Sequence, residues 1–206
     1  VKISDNPNTD EPEKQVMYSA IHHAREPASL SQLIFYMWYV LENYENSDEI
    51  KYLVDNLEMY FVPMINPDGY VFNEVNEPNG GGMHRKNKRD VGPTEDCNND
   101  PVNYNPGVDL NRNYPYQFGT TGVDLCNNHG DTYPGTGPFS EAETQNMKKF
   151  VETHNFELAF NTHTYGDLLL FPVGATNEEF AVDHDHFQLV GNHMIEENGF
   201  IAQKSS

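Results

Sequence analysis

The sequence has 206 residues, with 12 Lys and Arg against 32 Asp and Glu, a formal net charge of −20. Phosphate backbones and anionic bilayers both select basic surfaces, so this balance excludes nucleic acid and an anionic membrane surface as main partners. The length falls in the range of one domain, and an aromatic content of 12% sets the chain apart from disordered sequences.

Lys14 to Ile21 (KQVMYSAI) reads as a short buried strand. Glu26-Pro27 then opens a helix, since Pro suits the first helical turn. Leu30, Leu33, Ile34, Met37, Trp38 and Leu41 continue it at helical spacing. The apolar run Leu33 to Leu41 is the longest, at nine residues, where a membrane-spanning helix takes ~20. Ser47 predicts the N-cap of a second helix, Asp48 to Asn56. Met59 to Ile65 has strand character, and Asn66-Pro67-Asp68-Gly69 reads as a turn. Residues 73 to 138 are rich in Asn, Gly, Pro and Asp, and show little periodicity. A domain seldom carries so long an irregular stretch without a use for it. Ser140-Glu141-Ala142-Glu143 has the pattern of a capping box opening a helix to about Asn155. Phe156 to Thr162 and Asp167 to Pro172 read as strands, and Glu178 to Asn198 as a helix ending near Gly199. Strands and helices thus alternate at both ends of the chain. The expected class is α/β, with a mixed, mostly parallel sheet covered by helices on both faces. No secretory leader precedes Val1, so any targeting segment is expected to lie outside this sequence.

Cys97 and Cys126 lie in Asn-, Asp- and Gly-rich sequence, with no Cys-x-x-Cys and no His at zinc-site spacing. They are two free thiols or one disulfide. The polar surroundings favour the disulfide, and with it an oxidising compartment.

The residues that carry chemistry fall into separate clusters. In His22-His23-Ala24-Arg25-Glu26, a His and a carboxylate three apart can meet at a strand-to-helix turn, a usual zinc pairing. The same residues would also serve as a strand-end His and a Glu favoured by a helix dipole. His163 closes a later apolar strand. It fits a third ligand of a catalytic zinc site, or a hydrogen-bonded core His. In Gly107-Val108-Asp109-Leu110-Asn111-Arg112-Asn113, Arg112 can pair two N–H groups with a carboxylate and Asn111 can add a donor. A surface Arg beside an Asx-turn would look the same. His84-Arg85-Lys86-Asn87-Lys88-Arg89 is the only basic run, suited to a local positive field over an anionic group or to a solvated loop.

In this order the stretches IHHARE, PMINPDGY, MHRKNKR, GVDLNRNYPYQF, PGTGPFSEAET and NTHTYGDLLLFPVG resemble the zinc metallocarboxypeptidase family typified by pancreatic carboxypeptidases A and B. They run from about residue 15 to 174. The resemblance implies a carboxypeptidase-like fold and one catalytic zinc held by His23, Glu26 and His163. It implies that Arg85 polarises the scissile carbonyl, and that Asn111 and Arg112 hold the free C-terminal carboxylate of a peptide or protein substrate. Arg25 and Tyr165 match positions lining outer subsites. Cys97 and Cys126 bracket the Asp-Leu-Asn-Arg loop as a disulfide does in some members. Arg85, Arg112 and Arg25 are expected to reverse the acidic field locally.

The family's general base, a Glu on a late strand, and the Tyr that closes over substrate have no counterpart after His163. Glu178, Glu179, Glu196 and Glu197 fall on the predicted last helix instead. Residues 1–206 are therefore expected to form a single zinc carboxypeptidase catalytic domain lacking its C-terminal part and some N-terminal strands. The expected activity is removal of C-terminal residues through a zinc-activated water, in a secreted or periplasmic protein. The alternatives are a related zinc amidohydrolase acting on cell-wall peptides or acylated amino acids, and a non-catalytic peptide-binding relative. Neither the preferred C-terminal residue nor the oligomeric state is set by the sequence.

Overall fold

A computed structural model describes residues 1–174 and 179–205. Its elements in chain order are β1 (Lys2–Ile3), β2 (Lys14–Ala20), α1 (Pro27–Asn43), α2 (Asp48–Val54), β3 (Leu57–Val62), α3 (Pro67–Asn76), a 3-10 turn (Leu110–Arg112), α4 (Ala142–Glu152), β4 (Phe156–Thr162), β5 (Leu168–Phe171), α5 (His184–Met194) and β6 (Ile201–Lys204). The main sheet has the order β1-β3-β2-β4. β2 runs parallel to both β3 and β4, and only β1 is antiparallel. β5 and β6 form a separate parallel pair.

Side chains of β2 alternate between two cores, as the period of a strand requires. On one face, Tyr18 and Ala20 join Leu33 and Val40 of α1, Ile50 and Val54 of α2, and Met59 and Phe61 of β3. On the other, Met17 joins Ile65, Leu110 and Met147 of α4. Helices therefore cover both faces, as an α/β architecture requires. In the register of β2 and β4, Ala20 pairs with Thr162. The segments that follow these two strands leave the sheet side by side, which is where ligands bind in parallel α/β sheets.

Several local expectations change. In α1 the buried positions are Ser29, Leu33 and Val40, while Ile34, Trp38 and Leu41 are 42%, 60% and 55% exposed. The helix is apolar nearly all round, so spacing alone did not identify its core face. The Asn66–Gly69 stretch is the start of α3 rather than a free turn. Asn66 accepts from the Gly69 amide at 3.1 Å, and Pro67 takes the first helical turn. A Cβ on Gly69 would lie 2.5 Å from the Lys86 carbonyl oxygen, so glycine is what lets the basic loop pack here. The capping box at Ser140 does not form, and Glu141 is the N-cap of α4 without a side-chain bond to the helix. Glu141 is occupied by Asn87 and Arg89, and Ser140 by Asn113. The predicted last helix shortens to α5. Glu179 lies before it and Glu196 and Glu197 after it, while Glu178 lies outside the described residues. β6 was not anticipated, because Ile201 to Lys204 is too short to show alternation.

The irregular stretch is tied down by buried polar groups. Lys86 is fully buried, and its Nζ donates to the Asn105 and Gly130 carbonyls at 2.6 and 2.8 Å. Burial lowers its pKa to about 8. Cys97 and Cys126 form a disulfide, which closes the loop containing Asp109 and Arg112.

Glu58 of β3 is buried and accepts from Lys2, the Glu11 amide, Gln15 and Tyr60. Burial pushes its pKa up, but these bonds outweigh burial and bring it to about 2 from an ordinary 4.5. A depressed carboxylate contributes stability that is present above the unfolded value and lost as pH falls through the folded one. Urea midpoints of the wild type should therefore drop between about pH 4.5 and 2, and those of Glu58→Gln should drop less. Parallel curves would remove Glu58 as a source of acid sensitivity.

Candidate metal centre

His23 and Glu26 stand at the turn between β2 and α1, and His163 is the first residue after β4. His23 Nδ1 donates to Glu26 Oε1 at 2.8 Å, and His163 Nδ1 donates to Glu26 Oε2 at 2.9 Å. The two Nδ1 atoms are 3.1 Å apart. The donor atoms of these three residues all lie within 4.8 Å of one another. Ligands of a tetrahedral zinc ion at ~2.0–2.1 Å sit ~3.3 Å from each other, so this set fits zinc with small outward adjustments. Two imidazoles and one carboxylate also leave a position for a water or substrate atom. His23 and Glu26 are buried, and His163 is half-buried.

Asp109 sits behind this cluster, fully buried. Its Oδ1 accepts from His23 Nε2 at 3.2 Å and from the Asn111 amide at 3.0 Å. Its Oδ2 accepts from Arg85 Nε and Nη2 at 3.1 and 2.8 Å. One carboxylate thus fixes the ring of His23, the guanidinium of Arg85 and the start of the Asn111-Arg112 turn. The remaining Arg85 nitrogen, Nη1, lies 4.0 Å from Glu26 Oε1. Gly107, at φ +117°, has a Cβ position 2.1 Å from the Asn87 carbonyl oxygen. Only glycine lets the Asp109 loop lie that close to the Arg85 loop.

The electrostatics follow from this packing. Burial raises the pKa of Glu26, but hydrogen bonds from His163 and His23 prevail and hold it well below the carboxylate range. Burial also pushes Asp109 up, and His23 and Arg85 outweigh it to give about 2. His23 is disfavoured as a cation by burial, yet its bonds to Asp109 and Glu26 raise its pKa. His22 is pushed down to about 3 by burial and then by the neighbouring His163 and His23, so it is neutral.

The other predicted residues occupy different places. Asn111 lines a cavity of about 340 Å³ together with His22 and Tyr114. Arg112 donates to the Gly122 and Asn111 carbonyls at 2.9 and 3.1 Å and makes no ion pair among the described residues. Arg25 pairs with Asp131 at 3.0 Å and Arg85 with Asp109 at 2.8 Å, so both charges are compensated and the expected reversal of the field falls to Arg112. Tyr165 is fully exposed beyond His163. Glu179 accepts from Tyr116, and Glu196 pairs with His193.

Two polar residues beside the centre were not singled out from the sequence. Asp109 is the one carboxylate between Val108 and Leu110, both buried, and an acid flanked by core residues in a polar loop is the signal that marks it. Asn161 precedes His163 by two, which places both on one face of the strand end.

Two imidazoles and a carboxylate converge beyond the carboxyl ends of parallel strands in an α/β domain, a donor set that could hold one metal ion. A model of the zinc carboxypeptidase family matches residues 1–205, and the chain belongs to that family. It is 32% identical to the metallocarboxypeptidase A of Trichophyton tonsurans over 163 residues, 77% of this chain and 35% of that protein. It is 30% identical to the carboxypeptidase O of Bos taurus over 87% of this chain and 44% of that protein. A zinc carboxypeptidase of Saccharothrix mutabilis subsp. capreolus is 28% identical over 100% of this chain and 47% of its own length. The chain therefore spans between about a third and a half of these relatives. The carboxypeptidase A structure from Helicoverpa armigera superposes with a TM-score of 0.78 at 24% identity, over 98% of this chain and 48% of that one. Thrombin activatable fibrinolysis inhibitor gives 0.79 at 21% identity, over 100% and 49%. At these identities the two structures speak to the fold, and they bear out the expected α/β class.

Proposed function

We propose that residues 1–206 belong to one catalytic domain that hydrolyses the C-terminal peptide bond of peptides and proteins, with His23, Glu26 and His163 holding zinc. The observation that carries this is the Asp109 bridge, which sets a guanidinium edge 4.0 Å from the proposed metal ligand Glu26. Bound zinc supplies Lewis acidity and lowers the pKa of a coordinated water toward ~7.

The chain's own groups do the rest. Arg85 Nη1 is the donor available to a carbonyl oxygen entering beside Glu26, while Nε and Nη2 stay on Asp109. A fixed donor at the place where negative charge develops stabilises it without reorganising water. Arg112, on the turn that Asp109 organises, holds the terminal carboxylate with Asn111. That contact confines cleavage to the last residue, because an internal or amidated bond offers no carboxylate. Arg25 and Tyr165 line the outer subsites. Helices long and apolar enough to cross a membrane are absent among the described residues. The Cys97–Cys126 disulfide supports a secreted or periplasmic setting.

The test is a peptide pool, half free acids and half C-terminal amides, incubated with the zinc-loaded chain and followed by mass with and without chelator. Loss of single C-terminal residues from the acids alone, stopped by chelator, is the expected result. Zinc bound at one equivalent without cleavage would instead mean an incomplete catalytic domain or a peptide-binding relative. Arg112→Ala should raise KM for free-acid peptides by about 10- to 100-fold, the worth of a charge-assisted contact of ~1.5–3 kcal/mol. An unchanged KM would remove the carboxylate role from Arg112.

A further inference from the structure

A metal-ligating imidazole normally gives its second N–H to an acceptor, which fixes the ring and its tautomer. His23 follows this rule, with Nε2 on the Asp109 carboxylate. His163 does not: its Nε2 faces an amide, Asn161 Nδ2, at 2.8 Å. An amide donates from one end and accepts at the other, so which end it presents decides what its neighbour must be.

Asn161 is held at both ends. Its Oδ1 accepts from His22 Nδ1 at 2.8 Å and from Ser19 Oγ at 3.2 Å. The other nitrogen of His22, Nε2, is 2.8 Å from the Tyr114 hydroxyl. Strand geometry assembles this row, since Ser19 is the register partner of Asn161 and His163 follows two residues later. The row runs His163, Asn161, His22, Tyr114, with one amide between two imidazoles.

With Nδ2 toward His163, the Nε2 of that ring accepts and its proton sits on Nδ1, the atom facing Glu26 Oε2. A cation on Nδ1 requires the proton on Nε2 instead. Two N–H groups would then oppose each other, unless the amide turns over. Turned, Asn161 offers Oδ1 to His163 and Nδ2 to His22. His22 Nδ1 must then accept, so its proton resides on Nε2 and is donated to the Tyr114 oxygen. Each ring keeps one proton throughout, exchanged with water and the tyrosine hydroxyl, and none is gained or lost. The Tyr114 hydroxyl, no longer donating to His22, turns its hydrogen toward the cavity that it shares with Asn111.

We propose that Asn161 is a positioning residue, an amide switch that couples cation binding at His163 to the tautomer of His22 and the direction of the Tyr114 hydroxyl. This rests on His163 being a metal ligand. The loaded centre thereby gains a hydroxyl donor facing the cavity that Asn111, the residue assigned to the substrate carboxylate, also lines.

The experiment is long-range ¹H–¹⁵N correlation of the imidazoles in the ¹⁵N-labelled chain, before and after one equivalent of zinc, with His22 assigned through His22→Gln. His22 should change from Nδ1–H to Nε2–H as His163 Nδ1 takes the shift of a metal-bound nitrogen. Asn161→Asp accepts from both rings, so zinc should still bind while His22 stays Nδ1–H in both states. Asn161→Leu should weaken zinc about 10- to 100-fold, the usual cost of losing an outer partner of a ligand. Zinc on His163 with an unchanged His22 in the wild type overturns the switch alone, and so does a tautomer change that survives in Asn161→Asp. Failure of zinc to reach His163 overturns the switch together with the metal assignment.

Discussion

His163→Ala is expected to abolish tight zinc binding while leaving the domain folded. The residue stands at the end of β4 with its side chain 31% exposed, outside both apolar cores. Its removal leaves Glu26 with His23 and the Thr164 amide as partners, so no buried charge is stranded. Stability in chelator should fall by about 1.5–3 kcal/mol, the worth of one hydrogen bond to a charged group, which the two apolar cores can absorb. The metal has no such reserve. Losing an outer partner of a ligand already costs 10- to 100-fold in affinity, so losing the ligand should cost more than ~100-fold. Competition against a chromophoric chelator measures this directly. A variant that keeps one equivalent of zinc at unchanged affinity would show that the centre is not built from His23, Glu26 and His163.

The residues proposed as metal ligands stand out in the sequence because they sit where pattern is strongest. His23 and His163 each follow an apolar strand, and the register of β2 on β4 brings them together across 140 positions of sequence. The core face of α1 could not be found in this way. Ile34, Phe35, Trp38, Tyr39 and Leu41 are all exposed on a helix that is also apolar on its buried side, so periodicity had no polar face to measure against. The start of α3 was hidden because Asn-Pro-Asp-Gly is equally good turn chemistry, and only the burial of Asn66 against the His22 carbonyl decides for a helix N-terminus. The outer partners were harder still. Asp109 belongs to no spacing rule, the two-residue spacing of Asn161 from His163 tells only which face it shares, and both matter because of what the fold places opposite each of their polar atoms.

Asp109→Ala carries the second large effect, and it falls on stability as much as on the metal. The carboxylate is fully buried and accepts from His23, Arg85 and the Asn111 amide. Removing it strands the Arg85 guanidinium, whose side chain is only 13% exposed. Breaking one half of a buried pair costs about 3–5 kcal/mol, because the remaining charge keeps its desolvation and loses its compensation. For a chain of this size that is a fall of about 6–20 °C in Tm, read in chelator so that zinc does not contribute. Asp109→Asn should recover little. An amide keeps the shape, but it carries no charge and turns an N–H toward either Arg85 or His23. The pH dependence distinguishes this from a simple packing defect. The folded pKa of Asp109 lies near 2 against an ordinary 3.8, so its contribution is complete above about pH 3.8 and is lost as pH falls toward 2. The gap between wild type and Asp109→Ala should therefore be widest near neutral pH and narrow below pH 4. Zinc affinity of the variant should drop about 10- to 100-fold, since His23 loses the partner that orients its ring. A gap under about 1 kcal/mol, or one that does not vary with pH, would mean that Arg85 finds another anion and that Asp109 is not what holds the guanidinium beside the metal.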